Sequence, residues 1–70
     1  MTEKDSKLLF KAQNLTEIER WQDAIPLLLQ FIAQNPQNYQ ATCLLSLCYY
    51  NLEETETALD LAQKAIAIQP

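Results

Sequence analysis

The sequence predicts an all-α fold: two tandem helix–turn–helix hairpins, four antiparallel helices in an α-solenoid stack. Three observations predict it. The first is an offset of 34 residues, at which Ala24 maps onto Ala58, Ile25 onto Leu59, Phe31 onto Ala65, Ile32 onto Ile66 and Pro36 onto Pro70. Upstream, Leu8 maps onto Thr42, Ala12 onto Ser46 and Leu15 onto Tyr49. A period of this size marks a supersecondary unit that stacks on copies of itself to bury its apolar face. The second is apolar spacing of three and four residues in four successive segments, the period of a helix face. The third is punctuation: polar turns at Glu19-Arg20 and Leu52-Glu53-Glu54-Thr55, and a stop at Asn35-Pro36-Gln37-Asn38.

The first helix is predicted over roughly residues 4–17. Thr2 offers a hydroxyl cap with Asp5 three residues on, a capping-box spacing. Leu8, Ala12 and Leu15 form its apolar stripe, flanked by Leu9, Phe10 and Ile18, with Lys7 and Lys11 beside it. The second helix is expected from Arg20 or Trp21 to Gln34, with Trp21 as a core residue of the hairpin. Asp23 near its start suits the positive end of the helix dipole. Pro26 lies inside it and has no N–H for Gln22, which predicts a local kink without a break. The residue before Pro36 is pushed out of helical geometry, which ends the segment.

The third helix is expected over 38–51. Ala41, Cys43, Leu44, Leu45, Leu47, Cys48, Tyr49 and Tyr50 make it apolar nearly all round. Such a helix needs cover on more than one side, which puts it in the middle of the stack. The fourth helix is expected over 55–68, with Ala58, Leu59, Leu61, Ala62, Ala65, Ile66 and Ile68 apolar. Glu53, Glu54 and Glu56 read as a solvated helix start rather than a metal site. Asp60 and Lys64 are spaced for an i,i+4 ion pair on the outer face.

Composition narrows the function. Seventy residues make one domain with a small core. Glycine and histidine are both absent, which removes Gly-rich phosphate loops and the commonest general base and metal ligand. No carboxylate pair sits in a recognisable apolar pocket, so no catalytic residue, metal or cofactor is predicted. The net charge of −4 repels nucleic acid and anionic membrane surfaces. The apolar runs are far shorter than a membrane span and the first residues lack a signal-type apolar core, so a soluble, cytoplasmic protein is expected. Cys43 and Cys48 lie five apart on one helix, about 140° round it, and cannot bridge there. They read as buried or groove-lining thiols, with an intermolecular disulfide or a reactive thiol as the other readings.

The period, the hairpin content and the proline closing each unit resemble the tetratricopeptide repeat family. That family's pattern runs W-x₂-L-G-x₂-Y, then A-x₃-F, then P. Residues 39–70 give Thr42-x₂-Leu45-Ser46-x₂-Tyr49, then Ala58-x₃-Ala62, then Pro70. Residues 5–38 give Leu8-x₂-Lys11-Ala12-x₂-Leu15, then Ala24-x₃-Leu28, then Pro36. The small residues Ala12, Ser46, Ala24 and Ala58 fall where helix backbones approach closely. Lys11, Thr42 and Ala62 depart from the leucine, aromatic and phenylalanine of the pattern.

The resemblance implies a non-enzymatic scaffold whose first and third helices line a concave groove for a protein or peptide. The groove candidates are Leu9, Phe10 and Gln13 with Cys43, Leu44, Leu47, Tyr50 and Asn51, flanked by Ser6, Glu17 and Gln40. One branch of the family grips a chaperone's C-terminal carboxylate with basic and amide side chains. Leu9, Gln13 and Leu44 occupy the matching places here, so the groove favours an apolar or amphipathic segment. The competing reading has these side chains covered by the fourth helix or by another copy. Leu61, Ala62, Ala65, Ile66 and Ile68 are candidates for self-association as a homodimer or homo-oligomer, because a last unit without a polar cap leaves an apolar face. The chain also fits the N-terminal repeat piece of a larger protein of this kind.

Overall fold

The computed structural model describes residues 2–69. It holds four helices in order, α1 (Glu3–Glu17), α2 (Trp21–Gln34), α3 (Tyr39–Asn51) and α4 (Thr55–Ile68), and no strand among the described residues. Each boundary falls within a residue or so of where the punctuation predicts it. Pro70, the closing residue of the second unit, lies outside the described residues.

Local chemistry sets the helix ends. The Thr2 hydroxyl accepts from the Asp5 N–H at 3.1 Å, and the Asp5 carboxylate accepts from the Thr2 N–H at 3.4 Å. This reciprocal box satisfies two donors that a helix start leaves free. Asn38 caps α3 by accepting from the Ala41 N–H at 2.9 Å, the role short polar side chains fill at that position. The helix α2 runs through Pro26 without interruption.

The two hairpin turns repeat one geometry. Glu19 and Glu53, 34 residues apart, both take left-handed backbone, with φ of 62° and 66°. After α1 the Arg20 N–H donates to the Leu15 carbonyl at 2.8 Å, and after α3 the Glu54 N–H donates to the Tyr49 carbonyl at 2.9 Å. These six-to-one bonds close each helix in the manner that usually recruits glycine. The chain has none, so two glutamates carry the strain.

The helix α3 sits in the middle. It packs along α2 and α4 and reaches α1 at a few points, whereas α4 approaches neither α1 nor α2 closely. The core joins Leu9 and Ala12 of α1, Ala24, Leu28 and Phe31 of α2, and Ala41, Leu45 and Cys48 of α3. Phe31, Leu28 and Cys48 are its largest fully enclosed side chains; full burial stabilises a Leu or Phe by about 1.5–3 kcal/mol. Ala24 and Ala58 occupy the same place in their hairpins, each the fourth residue of its helix and each buried.

Three expectations need correction. The buried stripe of α1 is Asp5, Leu9, Ala12 and Thr16, while Leu8 and Leu15 are only half-buried. The sequence offers leucine at both 8 and 9, and α3 selects the second by covering that side. The Asp60–Lys64 pair does not close; the ion pairs among the described residues are Lys7–Glu3 and Arg20–Asp23. Lys64 instead lines a groove between α2 and α4. Trp21 is half-buried at the edge of the core rather than inside it.

Candidate functional site

The site follows from comparing the two hairpins position by position. In the first, α1 and α2 present Leu9, Ala12, Ala24, Leu28 and Phe31, which share one buried core with Ala41, Leu45 and Cys48 of α3. The counterparts in the second are Cys43, Ser46, Ala58, Ala62 and Ala65. Ala65 is buried, whereas Cys43, Ser46, Ala58 and Ala62 floor an open groove of about 420 Å³ between α3 and α4, whose lining also includes Leu47, Tyr50, Thr55 and Leu59.

Leucine gives way to Cys43 and Ala62 in the lining, so the second seat is hollower than the first. Its rim is apolar and exposed: Leu47 is 44% accessible, Tyr50 64% and Leu59 57%. Ile66, at 62%, extends the same side of α4 two turns beyond Leu59. The lining contains no charged side chain. The Ser46 hydroxyl is already engaged, donating to the Ala58 carbonyl at 2.7 Å. Such a surface offers shape and apolar contact but no charge.

Cys43, Leu47 and Tyr50 of the predicted groove set thus come together. Leu9 does not join them; it belongs to the core that α1, α2 and α3 share. Leu44 is half-buried against the core and Gln13 is half-buried on α1. Phe10, 65% exposed, stands on α1 outside the lining. Asn51 is exposed, but its amide donates back to the Leu47 carbonyl at 2.8 Å.

The self-association set divides between two sides of α4. Ala62 and Ile66 face the open side, and Ala65 is buried. Leu61 and Ile68 turn the other way and line a groove of about 530 Å³ with Leu29, Ile32 and Lys64. The apolar residues of α4 cover more than half its circumference, so α3, packed in the middle of that arc, leaves an apolar margin on each side. Leu59 was missed by the sequence reading. Its counterpart Ile25 is half-buried against the core, and that equivalence was the available signal.

The two thiols differ. Cys48 is enclosed and burial pushes its pKa up to about 11, whereas Cys43 is half-buried at the groove. Hydrogen bonding to Cys43 also raises the Tyr39 phenol above its ordinary value. At the other end of the molecule, Asp5 accepts from the Asn35 amide at 3.3 Å. That bond, aided by the Thr2 cap and opposed by burial, holds its carboxyl below the ordinary 3.8. Beside it the outer edge of α1 carries Lys4, Lys7 and Lys11 around Leu8, a charged border unlike the α3/α4 face.

No helix among the described residues is long and apolar enough to cross a membrane, and no three His, Cys, Asp or Glu side chains among them gather as a metal-sized group. Comparison of the chain with protein-family models, with curated proteins and with solved structures returns no match.

Proposed function

We propose that this chain is a non-enzymatic protein-interaction module of two tetratricopeptide-like units, holding an apolar or amphipathic helix on the open side of α3 and α4. One observation carries the reading. The seat that α3 fills in the first hairpin recurs in the second, lined by Cys43, Leu47, Tyr50 and Leu59, with no described element in it. An amphipathic helix laid into an apolar groove is a recurring recognition mode, with anchors at i, i+3 or i+4 and i+7. The missing bulk at Ala62 favours a partner that brings a large apolar anchor, Leu or Phe, to that place.

The reading is tested with a displayed library of amphipathic helical peptides selected on the full chain. Enriched peptides are expected to carry large apolar residues at helical spacing and to lose binding to Leu47→Glu and Leu59→Glu. Peptides that bind those two variants as well as the parent would place recognition elsewhere and reject the proposal.

A further inference from the structure

We propose that the groove between α2 and α4 is a small-molecule site for an apolar carboxylic acid. The carboxylate pairs with Lys64, and the hydrocarbon part lies along Leu29, Ile32, Leu61 and Ile68. The site lies on the other side of α4 from the α3/α4 face and does not depend on what that face binds.

The fold creates the groove. α3 packs along both α2 and α4, while those two do not approach each other closely. Thr42 and Leu45 of α3, both buried, floor the gap between them. Leu29 and Ile32 of α2 form one wall, and Leu61 and Ile68 of α4 the other. The volume is about 530 Å³, within the roughly 300–1,000 Å³ of small-molecule clefts, which combine apolar walls with a few placed polar groups. Leu61 and Ile68 mark out about 10 Å of α4, two helical turns, which suits a medium-length alkyl acid.

Charge names the ligand. Lys64 is the one charged side chain in the lining. Asp60, one turn earlier, does not pair with it, and the ion pairs among the described residues do not include it. The groove thus sets a cation beside an apolar channel, with no carboxylate in the lining to meet it. A ligand that satisfies both carries one carboxylate on a hydrocarbon body. Gln37 lines the same groove and brings amide N–H donors to it. The Thr42 hydroxyl already donates to the Asn38 carbonyl at 3.0 Å.

The repeat supplies a comparison. At the 34-residue offset, Lys64, Ala67 and Ile68 correspond to Gln30, Ala33 and Gln34. Those three line a groove of about 350 Å³ in the first hairpin, where Lys4 is accompanied by the Asp5 carboxylate. The hairpin therefore folds with glutamine at both places, and the pairing of a lone cation with an isoleucine is particular to the second unit.

Titration of the full chain with octanoate, followed residue by residue in nitrogen–proton correlation spectra, tests the assignment. Saturable shifts are expected at Leu29, Ile32, Lys64 and Ile68, and not at Leu47 or Tyr50. Octanol, the same chain without the charge, should bind about five- to tenfold more weakly, the range from an exposed ion pair to a charge-assisted hydrogen bond. Lys64→Gln should lower octanoate affinity by the same factor and leave octanol binding unchanged, while Lys64→Arg should retain octanoate. Leu29→Glu should abolish binding with unchanged helical circular dichroism, since that side chain is half exposed. The absence of saturable shifts, octanol binding as tightly as octanoate, or full octanoate affinity in Lys64→Gln overturns the proposal. So do shifts centred on Leu47 and Tyr50, which would put the acid in the other groove.

Discussion

The Ser46 hydroxyl donates to the Ala58 carbonyl across 2.7 Å, tying α3 to α4. In the first hairpin the same place is held by Ala12 and Ala24, both fully buried. Size is thus the primary requirement and the hydrogen bond an addition. Ser46→Ala should cost about 1 kcal/mol, the net worth of one such bond. Ser46→Leu should cost about 1–3 kcal/mol by overpacking. Urea unfolding followed by circular dichroism distinguishes them; equal losses would mean that the helices are not in close approach.

The left-handed residues Glu19 and Glu53 offer a gain in stability. A side chain in that region costs roughly 1–2 kcal/mol, of which glycine returns part to the flexibility of the unfolded chain. Glu19→Gly and Glu53→Gly should each stabilise by about 0.5–1 kcal/mol, and their effects should add because the sites are separate. A fall in the denaturation midpoint for both would show that these turns are not left-handed in solution.

Asp5 makes stability depend on acid. Its folded-state pKa lies below the ordinary value, chiefly through the Asn35 amide. The contribution is therefore present above the unfolded-state pKa and lost as pH falls through 3.8 and below. Asp5→Asn should remove that part of the acid-induced loss while lowering stability at neutral pH. Asn35→Ala should act similarly, and a melting temperature that falls as steeply in acid in both variants as in the parent would show that this pair does not matter.

The cysteines should separate under a thiol reagent. At neutral pH Cys48, with its pKa near 11 and its enclosure in the core, should remain unlabelled until the chain unfolds. Cys43 should label in the folded state, since it borders the open groove. Mass spectrometry of labelled peptides reads this directly, and early labelling of Cys48 would mean that the core opens readily.

Periodicity and punctuation made the helices legible. Thr2 with Asp5 marked the first start, and Asn35-Pro36 marked the middle stop. The left-handed turns were not legible, because their usual signal is glycine and the chain uses glutamate. The rotation of each helix was less legible still. Leucines at 8 and 9, and apolar residues around more than half of α4, fit several orientations equally well. The choice belongs to whichever helix packs against them. Leu9 therefore went to the core and Leu59 to the open rim, although both are simply apolar helix positions in the sequence. Lys64 escaped its expected partner because exposed pairs gain little in water.

The central placement of α3 also orders the local openings of the molecule. It alone adjoins the other three helices, whereas α4 packs chiefly on α3. Exposing the amides of α3 requires separating every layer, so their hydrogen exchange should report the global unfolding free energy. The amides of α4 can exchange after one helix peels away, which makes the end of the fold that carries the open groove the first to breathe.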